Sequence, residues 1–272
     1  MSSIMQSPHV ASRLESWPRR IRMFGIEVDA VTMTEAVSIV RQWTSDASFD
    51  CRYVVTPNVD HVVTLQHHAE LRAAYQNASL VLADGWPIVA ASRWLRKPLA
   101  ERVAGSDLVP AVFAAAEENH PLRAYLLGAA AGVGVRAAKN IQERWPDVKI
   151  VGVDSPPVGF ERYQDENELI LSRIAAAEPD LLIVGLGAPK QELWVHAHRR
   201  SLRCKAAICA GATIDFLAGE KHRAPKWMRG LGLEWLHRFV SEPRRLGRRY
   251  LKDALVFPRI VWRESQLVNP DS

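Results

Sequence analysis

The stretch that decides the fold is residues 79–108, which read SLVLADGWPIVAASRWLRKPLAERVAGSDL. Residues 80–83 form a short apolar run typical of a strand buried in a parallel sheet. The run ends at Asp84-Gly85, a turn signal, and ligands of open α/β sheets bind at this carboxyl edge. We therefore predict that Asp84 lies at the rim of a crevice. The alternative is that Asp84 only caps the turn before the next helix, a common role of aspartate.

Outward from this stretch, apolar runs alternate with helical patterns. Because the connections are short, we expect a parallel sheet with right-handed crossovers, flanked by helices. The predicted strands are 21–28, 52–56, 79–83, 122–128, 148–153, 180–187 and 205–210. Gly25 indicates a turn or bulge within the first of them. The predicted helices are 32–43, 60–77, 86–97, 106–118, 131–145, 165–177 and 189–200.

The pattern changes after residue 219. Residues 220–263 are helical in character, basic and rich in Trp and Arg, with no strand candidate. We predict four parts: a disordered leader (1–20), an α/β core (21–219), a basic helical C-terminal appendage (220–263) and a short tail (264–272).

Composition indicates an ordinary globular protein, with 48% apolar and 24% charged residues. No apolar run approaches the ~20 residues that span a bilayer, and no signal-peptide pattern follows the basic residues near the N-terminus. We therefore expect a cytoplasmic protein. The three cysteines lie in or beside apolar runs and are predicted to be buried thiols rather than metal ligands.

The positive charge is concentrated near the C-terminus. Residues 221–263 hold twelve Lys or Arg and three Asp or Glu, a local charge of +9, so the remainder carries −4 of the total +5. An anionic partner is expected there. A diphosphate and an anionic lipid both fit. Nucleic acid is disfavoured, because no helix-turn-helix, zinc or RNA-binding motif accompanies the charge.

Polar side chains follow two neighbouring strands. Thr56 and Asn58 follow one strand and Asp84 follows the next, so we expect them around one crevice. Hydroxyl, amide and carboxylate groups suit a polyhydroxylated ligand, with Asp84 as a candidate general base. Ordinary turn chemistry between strand and helix is the alternative.

Three further segments end at the same predicted edge. The glycine-rich turn at 128–132 lacks the dinucleotide-binding spacing, and either phosphate binding or close strand–helix packing explains it. In 185–192, two glycines precede Lys190 and Gln191. Lys190 could screen the charge of a phosphate, and Gln191 could hydrogen-bond to hydroxyl groups or to the edge of a uracil ring. Asp215 is a minor candidate, since it serves equally well as a helix cap.

The appendage interleaves aromatic residues with arginines. This pattern is typical of helices at a membrane interface, and arginine also binds diphosphates in bidentate fashion. The predicted contact residues are Arg223, Arg229, Arg238, Arg244, Arg245 and Arg248.

Together these segments resemble the bacterial TagA/WecG/CpsF glycosyltransferases (glycosyltransferase family 26). The matching segments are 56–58 (TPN), 83–85 (ADG), 101–107 (ERVAGSD), 189–192 (PKQE), Asp215, 223–225 (RAP), 234–235 (EW), 242–245 (EPRR) and 249–250 (RY). They run in family order over residues 22–260.

The resemblance implies a Rossmann-like core and an inverting transferase that needs no metal or cofactor. Such enzymes move a sugar (N-acetylmannosamine, its uronic acid or glucose) from a UDP-sugar to a polyprenyl-diphosphate-linked saccharide at the inner face of the membrane. Asp84 would be the base, and Thr56, Asn58, Arg102 and Gln191 would line the pocket. The appendage would contact the membrane, its arginines would face the diphosphate, and homo-oligomers are compatible with the pattern.

The sequence departs from the family pattern at residues 209–213 (CAGAT) and at Gly247. These departures affect donor specificity and appendage packing, and leave every proposed catalytic group in place. Two other classes remain open: a non-catalytic nucleotide- or membrane-binding regulator, and a UDP-sugar epimerase or dehydrogenase. The second is disfavoured, because the dinucleotide fingerprint and a Tyr-x-x-x-Lys pair are missing.

Overall fold

The central sheet of the protein has six parallel strands. The computed structural model describes residues 18–221, 223–225, 228, 234–241 and 243–268. The strands are β1 (Arg20–Met23), β2 (Ile26–Asp29), β3 (Arg52–Val55), β4 (Leu80–Val81), β5 (Leu122–Gly128), β6 (Val148–Asp154), β7 (Leu181–Gly185) and β8 (Ala206–Cys209). The sheet order is β4-β3-β8-β7-β5-β6, and every neighbouring pair is parallel. The predicted parallel α/β core is confirmed.

Eleven α-helices lie in the described residues. They are α1 (Met33–Ser45), α2 (Val59–Leu65), α3 (Ala69–Gln76), α4 (Trp86–Trp94), α5 (Gly105–Ala114), α6 (Val133–Arg144), α7 (Gln164–Ala177), α8 (Lys190–His198), α9 (Thr213–Leu217), α10 (Glu234–Ser241) and α11 (Pro243–Val268).

Both faces of the sheet are buried. Successive residues of a strand point to opposite faces, and in β3 Tyr53 and Val55 join one apolar cluster while Val54 joins another. In β7, Val184 and Ile183 divide in the same way. Helices therefore cover both sides, as apolar runs without polar alternation predict.

The first predicted strand, 21–28, is instead an antiparallel hairpin outside the central sheet. The chain reverses because Phe24 and Gly25 both adopt positive φ, at 57° and 82°. The buried carboxylate of Asp29 ties the hairpin to the sheet. It accepts hydrogen bonds from Arg20 Nε at 3.0 Å and from the Val81 backbone N–H at 2.8 Å.

The predicted helix 60–77 is two helices, α2 and α3. His68 caps the second by accepting from the Leu71 backbone N–H at 3.2 Å, so a new helix begins although the apolar periodicity continues. The strand predicted at 79–83 is shortened to the two residues of β4. Its remaining residues lead directly to Asp84.

The last helix, α11, continues to Val268, past the boundary predicted at residue 263. Phe257, Ile260 and Val261 are buried in the same apolar cluster as Phe24, and the Phe24 and Phe257 ring centroids are 5.7 Å apart. This part of α11 is thus integral to the core. Among the described residues, no helix combines the length and apolar character needed to cross a membrane.

Candidate active site

The turns after β3 and β4 lie side by side. The Asp84 backbone N–H donates to the Pro57 carbonyl at 2.8 Å. Asn58 begins α2, and its side-chain oxygen accepts from the His61 backbone N–H at 3.3 Å, so it is an N-cap. Thr56 is buried and packs against Gly105, where an added Cβ would lie 3.4 Å from the Thr56 hydroxyl oxygen. The structure therefore brings the three predicted residues to one edge of the sheet.

A cavity of about 340 Å³ opens between this edge and the C-terminal helices. An apolar cleft with a few convergent polar groups is the usual form of a ligand site. Its polar lining residues are Asn58, Asp60, Asp84, Arg102, Arg249 and Asp253. Its aromatic and other ring-bearing lining residues are Trp86, Pro87, Trp235, Tyr250, Phe257 and Pro258.

A chain of alternating charges holds Asp84 in place. Arg102 contacts an Asp84 carboxylate oxygen at 3.3 Å and an Asp107 oxygen at 2.6 Å. Arg223 contacts the other Asp107 oxygen at 2.9 Å. Burial raises the pKa of Asp107, but Arg223 and Arg102 outweigh burial and the net pKa is lowered. Asp107 thus stays ionised and anchors the guanidinium that orients Asp84.

A second group of predicted site residues does not line this cavity. Gln191 is 3% exposed; its side-chain oxygen accepts from the Gly211 N–H at 3.0 Å, and its nitrogen donates to Glu192 at 2.8 Å. Lys190 pairs with Glu161 at 3.2 Å, and Asp215 pairs with Lys221 at 3.3 Å. These residues follow β7 and β8, beside β3 on the same sheet edge.

The arginines predicted to contact the diphosphate or the membrane differ in their surroundings. Arg223 is engaged with Asp107 and with the Ser106 carbonyl at 3.1 Å, while Arg248 is exposed on α11. Arg229 lies outside the described residues. Arg238, Arg244 and Arg245 lie on α10 and α11, but their side chains are outside the described part of the structure.

The cavity residues that were not predicted as site residues include Asp60, Trp86, Arg249 and Asp253. Arg249 lies 3.6 Å from Asp60, so this ion pair joins α11 to α2. Asp253 is buried, and it is the one acid between residues 243 and 263 of a strongly basic segment. That isolated acid was the available signal.

Close packing explains the glycine-rich turn after β5. An added Cβ on Gly128 would lie 2.6 Å from the Gly185 backbone, because the two strand ends approach closely. Gly185 is similarly confined, with the Gly211 carbonyl oxygen 2.9 Å from its own Cβ position. These glycines allow three strand ends to meet at the edge that carries the second group.

We expect Gly128→Ala to destabilise the protein by about 2–4 kcal/mol, through backbone overlap and an unfavourable positive φ of 117°. Gly159→Ala is the matched control, because Gly159 also has positive φ, at 93°, but meets nothing within 4 Å. Urea denaturation gives the free energy of unfolding of both variants, and the difference between their losses separates the cost of backbone overlap from the cost of the positive φ. Equal losses would show that the close approach is unimportant.

The fold and the cavity define an α/β protein with a cavity at the carboxyl edge of a parallel sheet, lined in part by basic and aromatic residues of the C-terminal helices. The family model "Glycosyl transferase WecG/TagA/CpsF family" matches residues 21–269, and the chain belongs to this family of glycosyltransferases. Among the described residues, no group of three or more His, Cys, Asp or Glu side chains is arranged to hold a metal ion.

Its curated relatives include three proteins of Staphylococcus aureus, each named N-acetylglucosaminyldiphosphoundecaprenol N-acetyl-beta-D-mannosaminyltransferase. The protein of strain MRSA252 is 32% identical over 242 residues, which cover 88% of this chain and 90% of the relative. Those of strains MW2 and NCTC 8325 / PS 47 are each 31% identical over the same share of each chain.

Proposed function

We propose that the protein transfers N-acetylmannosamine from a UDP-linked donor to a polyprenyl-diphosphate-linked N-acetylglucosamine, with Asp84 as general base. The names of the relatives supply the sugar and the acceptor. The observation that carries the proposal is Asp84 itself, a carboxylate on the wall of an aromatic-lined cavity and oriented by Arg102.

The reaction is a single displacement with inversion. Asp84 takes the proton of an acceptor hydroxyl, whose oxygen forms a bond to C1 of the donor sugar while the bond from C1 to the phosphate oxygen breaks. UDP leaves with the electron pair of that bond. Cationic groups stabilise charge that develops on a leaving diphosphate, and among the described residues Arg102 and Arg249 are the cations that line the cavity.

The test is UDP release from UDP-N-acetylmannosamine, measured with and without a farnesyl-diphosphate-linked N-acetylglucosamine. Acceptor-dependent release supports the transferase. Binding of the donor without turnover would favour the regulator, and conversion of the donor without the lipid would favour the epimerase.

We also propose that α11 attaches the protein to the inner face of the membrane. Leu251, Leu255 and Trp262 are 65%, 55% and 63% exposed and lie on one face of the helix by their spacing. Exposed basic residues flank this face at one side: Arg248, Lys252 and Arg259. Apolar and cationic strips side by side are typical of interfacial helices.

Changing Leu251, Leu255 and Trp262 together to Ser is expected to weaken binding to phosphatidylglycerol-containing vesicles by at least about tenfold, because the buried apolar area is lost. The matched control changes Val135, Val158 and Leu169 to Ser, since these are exposed apolar residues that lie outside α11. Vesicle co-sedimentation measures both. Equal binding of the two triple variants would refute the assigned face.

A further inference from the structure

Asp253 is a buried acid in the cavity wall that the proposed chemistry has not used. It lies on α11, is 6% exposed, and lines the same cavity as Asp84. Its Oδ1 has no hydrogen-bond partner among the described residues. Leaving a buried polar atom unsatisfied is costly, and such atoms in a folded protein mark a strained or functional position.

The charged groups around Asp253 increase the free-energy cost of leaving its carboxylate without hydrogen-bond donors. Burial and the nearby Asp60 carboxylate raise the pKa of Asp253 to about 6, although Arg249, Lys252 and His61 act in the opposite direction. At pH 8 the group is therefore an ionised hydrogen-bond acceptor in need of donors. Among the described residues, the charged or titratable groups around it are Asp60 and His61 from α2, Arg249 and Lys252 from α11, and Asp84 and Arg102, which line the same cavity.

A second acceptor lies beside it on the same helix. Pro258 has no backbone N–H, so the Ala254 carbonyl cannot receive its usual helical hydrogen bond from four residues later. Ala254 and Pro258 both line the cavity. The α11 wall therefore carries the Asp253 carboxylate and a backbone carbonyl that lacks its helical donor, and a ligand with O–H or N–H donors complements such acceptors.

The remaining walls fit a sugar ring. Trp86, Trp235, Tyr250 and Phe257 line the same cavity as the polar groups, and aromatic side chains supply broad apolar contact surfaces with directional geometry. A diphosphate placed directly against Asp60 and Asp253 would meet like charge, whereas sugar hydroxyls and an acetamido N–H would donate to these carboxylates.

We propose that Asp253 binds the acceptor saccharide, accepting a hydrogen bond from a hydroxyl or acetamido N–H of the sugar that Asp84 deprotonates. The inference rests on the proposed function. The acceptor is assigned rather than the donor because Asp84 must touch the acceptor and shares this cavity with Asp253. The cavity is also closed by α11, the helix that carries the proposed membrane face.

The test is the steady-state kinetics of Asp253→Asn, with UDP-N-acetylmannosamine and farnesyl-diphosphate-linked N-acetylglucosamine as substrates. The KM for the lipid-linked sugar should rise at least about tenfold, as expected for losing a hydrogen bond to a charged group. The KM for the UDP-sugar should change by less than about twofold. Asp165→Asn, on the exposed first turn of α7, is the matched control and should change neither.

Thermal stability separates binding from a structural role. Because the folded-state pKa of Asp253 is raised, its contribution to stability is full below pH 4 and is lost as the pH rises through about 6. Asp253→Asn should therefore melt at or above the wild-type temperature at pH 8, with a smaller difference at pH 4. Asp253→Ala should repeat the kinetic effect.

Folded variants with an unchanged acceptor KM, or with a raised donor KM instead, would overturn the role of Asp253. A lower melting temperature at pH 8, with both KM values unchanged, would likewise overturn it and indicate a structural role. Wild-type protein without acceptor-dependent UDP release would refute the proposed function itself, so the two failures are distinguishable.

Discussion

Asp84→Asn is expected to lower the turnover of the transferase by roughly 10²–10⁴-fold, because general-base assistance typically contributes that much. This corresponds to about 3–5 kcal/mol in the activation free energy. The substitution keeps the shape of the side chain and one oxygen that can accept a hydrogen bond from Arg102. Binding of the UDP-sugar should therefore be nearly unchanged.

The measurement is single-turnover product formation together with calorimetric donor binding. Asp165→Asn again serves as the control for a neutralised exposed aspartate. A variant with wild-type turnover would contradict the assignment of the base. A variant that lost donor binding and turnover together would assign Asp84 to the donor site instead.

Removal of residues 243–272 is expected to abolish transfer and to destabilise the remaining chain. The cavity loses Arg249, Tyr250 and Asp253. The core loses Phe257, Ile260 and Val261, each a buried side chain that contributes roughly 1.5–3 kcal/mol. The sum exceeds about 4 kcal/mol, which approaches the whole net stability of many domains.

Circular dichroism melts and UDP release measure the two consequences of this truncation. The sequence pattern alone leads to a different prediction. It separates the α/β core from the C-terminal appendage, so the core is expected to stay folded when the chain is cut at Lys221. The triple Ser variant of the membrane face is the control, because it alters exposed residues of α11 and should keep the wild-type melting temperature. A truncated chain as stable and active as wild type would contradict the core role of α11.

The edge of the sheet that holds the site was predictable in part. Asn58 and Asp84 each follow an apolar strand directly, and the carboxyl ends of parallel strands share one edge. Their meeting, fixed by the bond from Asp84 to Pro57, needed only the strand pattern. The roles assigned to these residues stay predictions.

Other features were not predictable, because they depend on which strands become neighbours. The last strand, β8, inserts between β3 and β7, so Gln191 bonds to Gly211 beside the cavity rather than within it. The hairpin at residues 20–29 reads as one strand with a turn or bulge at Gly25, since local periodicity cannot distinguish a bulge from the full reversal at Phe24 and Gly25. Short-range patterns do not encode such long-range contacts.

By itself, the sequence determined the parallel α/β core, the polar groups at its carboxyl edge and the basic aromatic character of the C-terminal segment, because each follows from local periodicity and composition. Only the tertiary structure decided that α11 packs into the core through Phe257 and brings Arg249 and Asp253 to the cavity that Asp84 lines. These contacts join residues far apart in the chain, and their positions follow from packing rather than from any local preference.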